Sequence, residues 1–253
     1  MNQARGRRMF ILLAAVCLWV SPVQADESPR DFTLALSWQP AFCELSARKP
    51  ECRNQTAQRW DARHFTLHGL WPNLDRNRDG RIDGSDNYCL PEPRRSQVIG
   101  RTWRELDAID LPASVKRDLD RVMPGTSSWL ERHQWTKHGT CAGMDRAAYF
   151  QLAIARTDDF AATALSKLVA GSTGGDVARR DFLAAFEADF GKGSAKALRL
   201  ICDRLGGTVL LSEIRLQLRA ETLAQPLSRA SLAIPAKAPG GSCPAHFRID
   251  AAG

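Results

Sequence analysis

"HFTLHGLW", residues 64–71, sets apolar Phe65 and Leu67 against polar Thr66 and His68 in a two-residue alternation, the period of a β-strand, and places His68 near a strand end. "DFTLALSW" (31–38) alternates in the same way ahead of Pro40. "GTVLLSEIRLQLR" (207–219) starts as a strand by its β-branched content, and "AHFRID" (245–250) reads as a last strand. The middle of the chain is helical. "TSSWLERHQWTKHG" (126–139) offers Thr126, Ser127 or Ser128 as N-cap and Gly139 as terminator, residues 145–170 form one long helix or two, and "RDFLAAFEADFG" (180–191) ends on a glycine. Strands at both ends with helices between them predict an α+β fold rather than a βαβ series. "GSTGG" (171–175) and "PAKAPGGSC" (235–243) read as loops, not domain linkers.

The first 25 residues have a basic start (Arg5, Arg7, Arg8), an apolar run from Met9 to Val20, and Val23-Gln24-Ala25 at the end. This is the layout of a secretory signal cleaved after Ala25. The apolar run is shorter than the ~20 residues needed to span a bilayer, and no later stretch is long enough either, so no membrane anchor is expected. Removing this segment takes away three arginines and no acid, so the formal net charge falls from +7 to +4. Residues 26–253 are enough for a full core in one domain, and the positive excess suits a polyanionic partner without requiring one.

Cys17 leaves with the signal. Cys43, Cys52, Cys89, Cys141, Cys202 and Cys243 remain, an even number in an exported chain, which points to three disulfides in an oxidising compartment. Six cysteines can pair in about 15 ways, and spacing alone does not choose among them.

Two of the chain's five histidines fall within "WLERHQWTKHGTC" (129–141). On a helix His133 and Lys137 are four apart and share a face, and Gln134 and His138 share an adjoining one. Zinc fits poorly, because the two histidines are five apart with a cation between them rather than i, i+4 as in HExxH. Proton transfer fits better, since imidazole titrates near neutrality and a neighbouring ammonium favours an anionic transition state. "HGLWPN" (68–73) supplies a second histidine centre on a separate element. Acid–base chemistry at phosphorus needs such a pair, one group taking a proton from the nucleophile and the other giving one to the leaving group.

"FTLHGLWPN" (65–73) and "WLERHQWTKHGTC" together resemble the two catalytic segments of the ribonuclease T2 family. "LSWQPAFC" (36–43) is similar to that family's amino-terminal strand and first cysteine, and "SCPAHFRI" (242–249) to its closing strand, so the likeness spans nearly the whole mature chain. The resemblance implies a ribonuclease T2-like α+β fold, a central antiparallel sheet with helices packed around it and three disulfides. It also implies an endoribonuclease that needs no metal or other cofactor and cuts single-stranded RNA through a 2′,3′-cyclic phosphate, with slower hydrolysis of that product and low base specificity. His138 then matches the base that deprotonates the ribose 2′-OH, His68 the acid for the departing 5′-oxygen, His133 the histidine that positions the phosphate, and Lys137 the cation for the crowded transition state. DNA lacks the attacking hydroxyl and is not expected to be cut. By the same resemblance the disulfides are Cys43–Cys52, Cys89–Cys141 and Cys202–Cys243.

One position departs from the family pattern. Gln134 stands where the family usually has Glu; an amide offers donors without negative charge, so an altered rate and pH optimum with activity retained are expected. Trp71 matches the tryptophan on which the 5′-side base stacks, and Asn73 sits where many relatives have Asp, making both substrate-binding residues. Trp38, Trp129 and Trp135 are expected to pack, and His64 and His246 to be structural.

"DRNRDGRIDGSD" (75–86) matches a calcium-loop pattern, with Asp75, Asn77 and Asp79 at the first, third and fifth places, Gly80 at the sixth, and Asp83 and Asp86 at the ninth and twelfth. A polar turn is the plainer reading, and Arg76, Arg78 and Arg81 would oppose a cation. A structural calcium therefore stays open alongside cofactor-free catalysis. The expected protein is a periplasmic or secreted monomer acting on single-stranded RNA. The competing expectation, a catalytically weakened RNA-binding or inhibitory protein on the same scaffold, has only Gln134 in its favour.

Overall fold

The computed structural model describes residues 28–253; the signal segment predicted at 1–25 lies outside the described residues. In chain order the elements are β1 (Asp31–Ser37), α1 (Gln39–Leu45), β2 (Thr66–Asn73), α2 (Arg94–Val98), α3 (Ala113–Val122), α4 (Leu130–Lys137), α5 (Arg146–Ala161), α6 (Ala164–Gly171), β3 (Asp176–Ala178), α7 (Arg179–Phe190), β4 (Leu198–Leu205), β5 (Thr208–Arg219) and β6 (His246–Arg248). The fold is α+β, a six-stranded sheet in the order β2-β1-β5-β6-β3 with β4 also pairing with β5, and helices packed around it. The sheet is mixed rather than wholly antiparallel, because β5 and β6 pair in parallel.

The two faces of the sheet are written in the alternation of β5. Ile214, Leu216 and Leu218 join Phe32, Leu34, Leu36, Leu67 and Leu70 in the main core, which also takes Tyr149 and Phe150 from α5 and Phe182 and Phe186 from α7. The intervening residues face the other way. Cross-strand pairing sets Trp71 beside Thr33 and Thr33 beside Gln217, and Gly69 beside Ala35 and Ala35 beside Arg215. A polar row is thus built on one face of an otherwise apolar sheet.

His68 is the third residue of β2, near the start of the strand. Ala35 pairs with Gly69 but Leu36 pairs with Leu67, so His68 is the extra residue of a β-bulge. Strict alternation from core-facing Leu70 would send His68 into the core. The bulge resets the count, keeping Leu67 in the core and leaving His68 about a third exposed with a partner on the polar face. Tyr149 of α5 holds the strand from behind, donating from its hydroxyl to the Leu70 carbonyl at 2.8 Å.

The predicted helix over 126–139 starts later than its serines suggest. Residues Pro124–Ser128 make a tight 3-10 turn, Trp129 caps α4 in the left-handed region at φ +62, and no Ser or Thr side chain caps the helix. Residues 145–170 fall into two helices, α5 and α6, the second capped by the Thr163 hydroxyl, which accepts from Ser166 N. Three disulfides join Cys43–Cys52, Cys89–Cys141 and Cys202–Cys243.

Candidate active site

The site forms where the polar face of the sheet meets the end of α4. β2 contributes His68, Trp71 and Asn73, α4 contributes His133, Gln134 and Lys137, and His138 caps that helix with its backbone N–H donating to the Gln134 carbonyl at 3.0 Å. Trp71 is the hub. Its ring stacks on His138 (centroids 5.3 Å apart, 27° between planes), meets the edge of His68 at 5.3 Å, and has the Arg215 guanidinium 4.9 Å from its centroid. Its indole N–H donates to Gln134 Oε1 at 2.8 Å. Gln134, 1% exposed, therefore works as a hydrogen-bond acceptor, a duty a carboxylate could also perform.

Gly69 makes this packing feasible. A Cβ at that position would collide with the Gln134 carboxamide and the Trp71 indole, so the chain needs the bare backbone between His68 and the helix.

The two histidines near α4's end are kept neutral. Burial, followed by the positive charges of Lys137 and His68, lowers the His133 pKa from 6.5 to about 4. Deeper burial, then Lys137, His133 and His68, lowers that of His138 to about 2. His138 Nδ1 is buried without a hydrogen-bond partner, so a substrate can approach only Nε2. His133 stacks on Trp103, with centroids 4.9 Å apart, and Lys49 Nζ lies 4.7 Å from that indole.

His68 has a different environment. Its Nδ1–H donates to Glu213 Oε2 at 2.6 Å, and Glu213 Oε1 accepts from Arg215 Nε at 2.5 Å. Burial opposes the charge on Glu213, but its bonds and attractions to His68 and Arg215 outweigh that and hold its carboxyl below the usual range. Sequence reasoning missed Glu213, Arg215 and Trp103. The alternation in "SEIRLQLR" did carry a signal, since it marks Glu213, Arg215, Gln217 and Arg219 as one face of a strand.

Two hollows flank this cluster. One, about 360 Å³, is lined by Trp71, Asn73, Ile82, Asp83 and His138; the other, about 280 Å³, by Ser37, Phe42, His68, Trp103 and Glu213; Arg215 borders both. Asn73 is held in place, donating to Gln217 Oε1 at 2.9 Å and accepting from the Thr33 hydroxyl at 3.0 Å.

The loop 75–86 runs beside the first hollow. Asp75 accepts from the backbone N–H groups of Asp79 and Gly80, Asn77 from Asp79, Asp79 from Arg81, Asp83 from Ser85, and Asp86 from Arg76 and Asp83. Among the described residues no three His, Cys, Asp or Glu side chains converge as a metal cluster. Of the residues expected to pack, Trp38 is fully buried and donates to the Asp250 carbonyl and Trp135 packs half-buried against the core, whereas Trp129 is half-buried outside it; His64 stacks on Trp60 at 4.7 Å, and His246 is exposed.

Comparison with known proteins finds the ribonuclease T2 family model matching residues 30–226. Ribonuclease I of Escherichia coli K12 is 35% identical over 240 residues, covering 88% of this chain and 86% of that protein. Ribonuclease MC1 from bitter gourd seeds superposes with a TM-score of 0.54 at 22% identity, over 86% of this chain and 98% of that one. A mutant of MC1 in complex with 5′-UMP gives 0.56 at 21%, over 87% and 98%.

Proposed function

The chain belongs to the ribonuclease T2 family and is an endoribonuclease of that type, and on that premise we propose how its residues divide the reaction. His138 Nε2 takes the proton from a ribose 2′-OH. The freed oxygen attacks the adjacent phosphorus, the P–O5′ bond breaks, and His68 Nε2 protonates the departing 5′-oxygen. The products are a 2′,3′-cyclic phosphate end, hydrolysed more slowly, and a free 5′-hydroxyl. Lys137 and His133 carry the nonbridging oxygens, where charge builds in the transition state. The nucleophile already sits beside the phosphorus, so positioning, proton transfer and charge neutralisation are what the protein must supply.

One observation carries this division of roles: His138 and His68 line different hollows that share Arg215. The nucleotide that loses its 2′ proton then lies with Trp71 and Asn73, and the nucleotide that leaves lies against His68. Stacking on an aromatic ring accepts any base, which supports low base specificity.

Every group in this scheme comes from the chain, so catalysis is read as cofactor-free. A calcium ion in loop 75–86 would be structural, since its oxygens serve the loop's own amides beside the first hollow. RNA digestion in excess EDTA, with the new 3′ ends read by mass spectrometry, tests the scheme. We expect cyclic phosphate ends that disappear in His68→Ala, whereas intact RNA would overturn it. Calcium titration of chelator-stripped protein reads the loop separately: heat with a raised melting temperature assigns the ion, and no heat removes it.

The proposal extends to one catalytic domain over 26–253, exported by the segment at 1–25 and acting as a monomer on single-stranded RNA but not DNA. Among the described residues no helix is long and apolar enough to cross a membrane. An amino terminus at Asp26 on protein recovered outside the cytoplasm is the outcome expected.

A further inference from the structure

We propose that Glu213 is the positioning residue of the acid histidine, holding His68 by Nδ1 so that Nε2 carries its proton toward the leaving oxygen. The inference rests on the reading of His68 as the general acid.

The geometry has three parts. His68 is the extra residue of a bulge, so no cross-strand partner fixes its backbone register, and its ring is about a third exposed. A histidine so placed needs something else to choose its rotamer and tautomer. Glu213 is the only carboxylate hydrogen-bonded to a described histidine ring, at 2.6 Å, and its own side chain is 10% exposed. An ionised carboxylate only accepts, so the bond places hydrogen on Nδ1 and directs Nε2 to the substrate. Glu213 is fixed in turn: Arg215, two residues along the same strand face, donates to its other oxygen at 2.5 Å, and Glu213 is paired across the sheet with Ser37 and Ile201.

The other half of the site lacks such a group. Gln134 puts a neutral amide on the buried face of α4, and its Oε1 is taken by Trp71. The titratable and charged groups around His68 are otherwise Lys137, His133 and His138 from the α4 segment, Arg215 from β5, Asp203 on β4, whose Oδ2 accepts from the Ser212 hydroxyl at 2.5 Å, and buried Glu51, whose Oε2 accepts from the Ser128 hydroxyl at 2.5 Å. Glu213 is the carboxylate in bonding contact with the ring, so the anionic support for catalysis comes from the sheet rather than from the helix.

The test uses two substrates and two readouts. Native protein, Glu213→Gln, Glu213→Asp, His68→Ala and the double variant H68A/E213Q are assayed on a dinucleotide and on a uridine 3′-aryl phosphate. The aryl oxide leaves without needing a proton, so loss of acid catalysis should spare that substrate. Glu213→Gln is expected to slow dinucleotide cleavage roughly 10- to 100-fold, by analogy with metal-bound histidines that lose the carboxylate orienting them, and the aryl substrate at least tenfold less. It should also move the alkaline limb of kcat/KM to lower pH, because the imidazolium loses its counter-charge. Glu213→Asp should recover part of the rate, and the double variant should be no slower than His68→Ala. If His68→Ala spares the aryl substrate but Glu213→Gln slows both substrates equally, Glu213 is merely structural and the inference fails. If His68→Ala itself shows no such selectivity, it is the reading of His68 as the acid that fails.

Discussion

Gly69 and Gln134 fix the spacing between β2 and α4. Gly69→Ala would push a methyl group into the Gln134 carboxamide and the Trp71 indole, the hub that contacts both His68 and His138. Overpacking of this kind costs about 1–3 kcal/mol, and a displacement near 1 Å at a reacting centre can cost about 100-fold in rate. We therefore expect Gly69→Ala to fold, to melt earlier, and to lose at least tenfold in kcat/KM; unchanged kinetics would show that the spacing tolerates movement. Gln134→Glu tests the other side. The acceptor to Trp71 survives, so activity at the optimum should stay within about tenfold. A new anion beside His138 and His133 stabilises their protonated forms, so the acid limb of the pH–rate profile should move to higher pH. A gain of several orders of magnitude would mean instead that the amide disables the native protein. Neither residue's duty was legible in the sequence, because Gly69 and Gln134 meet only once β2 and α4 pack.

At the scale of elements, α4 carries its histidines at a cost to stability in acid. An unfolded histidine takes a proton near pH 6.5, but His133 resists until about 4 and His138 until about 2. Between those values the unfolded chain binds more protons, so stability rises with pH through this window and levels off above it. Urea unfolding of substrate-free protein at pH 4, 5, 6.5 and 7.5 should show that slope, and His133→Asn should remove about half of it, leaving the share of His138; a flat native profile would contradict the burial of both rings. Much of this helix was legible, since the spacing of His133, Gln134, Lys137 and His138 placed them on adjoining faces. Its start was not, because Trp129 supplies the cap through backbone conformation rather than through a hydroxyl. The strands at both ends were legible from their alternation. β4 was not, since a bulge at Ile201/Cys202 breaks its period and its last three residues, Asp203, Arg204 and Leu205, are all exposed. The bulge at His68 was hidden for a related reason: alternation is visible in sequence, but a skipped partner belongs to the neighbouring strand. Glu213 lies 145 residues from His68, and only the pairing of β5 with β1, and of β1 with β2, brings the two together.

For the molecule as a whole, the disulfides differ in what they join. Cys43–Cys52 closes a local segment of 9 residues, Cys202–Cys243 spans 41, and Cys89–Cys141 spans 52. If a bridge acts by restricting the unfolded chain, its contribution grows with the logarithm of loop length, from about 2.5 kcal/mol for the shortest to about 4 for the two long ones. The two long bridges should then be nearly equal in stability, yet they are not equivalent for function. Cys141 lies three residues past His138, and Cys89 lies on the connection that leaves β2 for α2. Around that bridge Tyr88 N–H donates to the Lys137 carbonyl at 2.8 Å and Cys89 N–H to the Thr140 hydroxyl at 3.2 Å, so chain from the His68 side is bound directly to the end of α4. Cys202–Cys243 joins β4 to the approach to β6, away from both His68 and His138 in sequence. Paired Cys→Ala variants of the two long bridges should therefore lose similar stability in urea, while only the Cys89/Cys141 pair loses kcat when both are assayed far below their unfolding midpoints. Equal losses of kcat would mean that the bridges act on catalysis only through global stability; a loss confined to Cys89/Cys141 would mean that this bridge holds the two halves of the site in register.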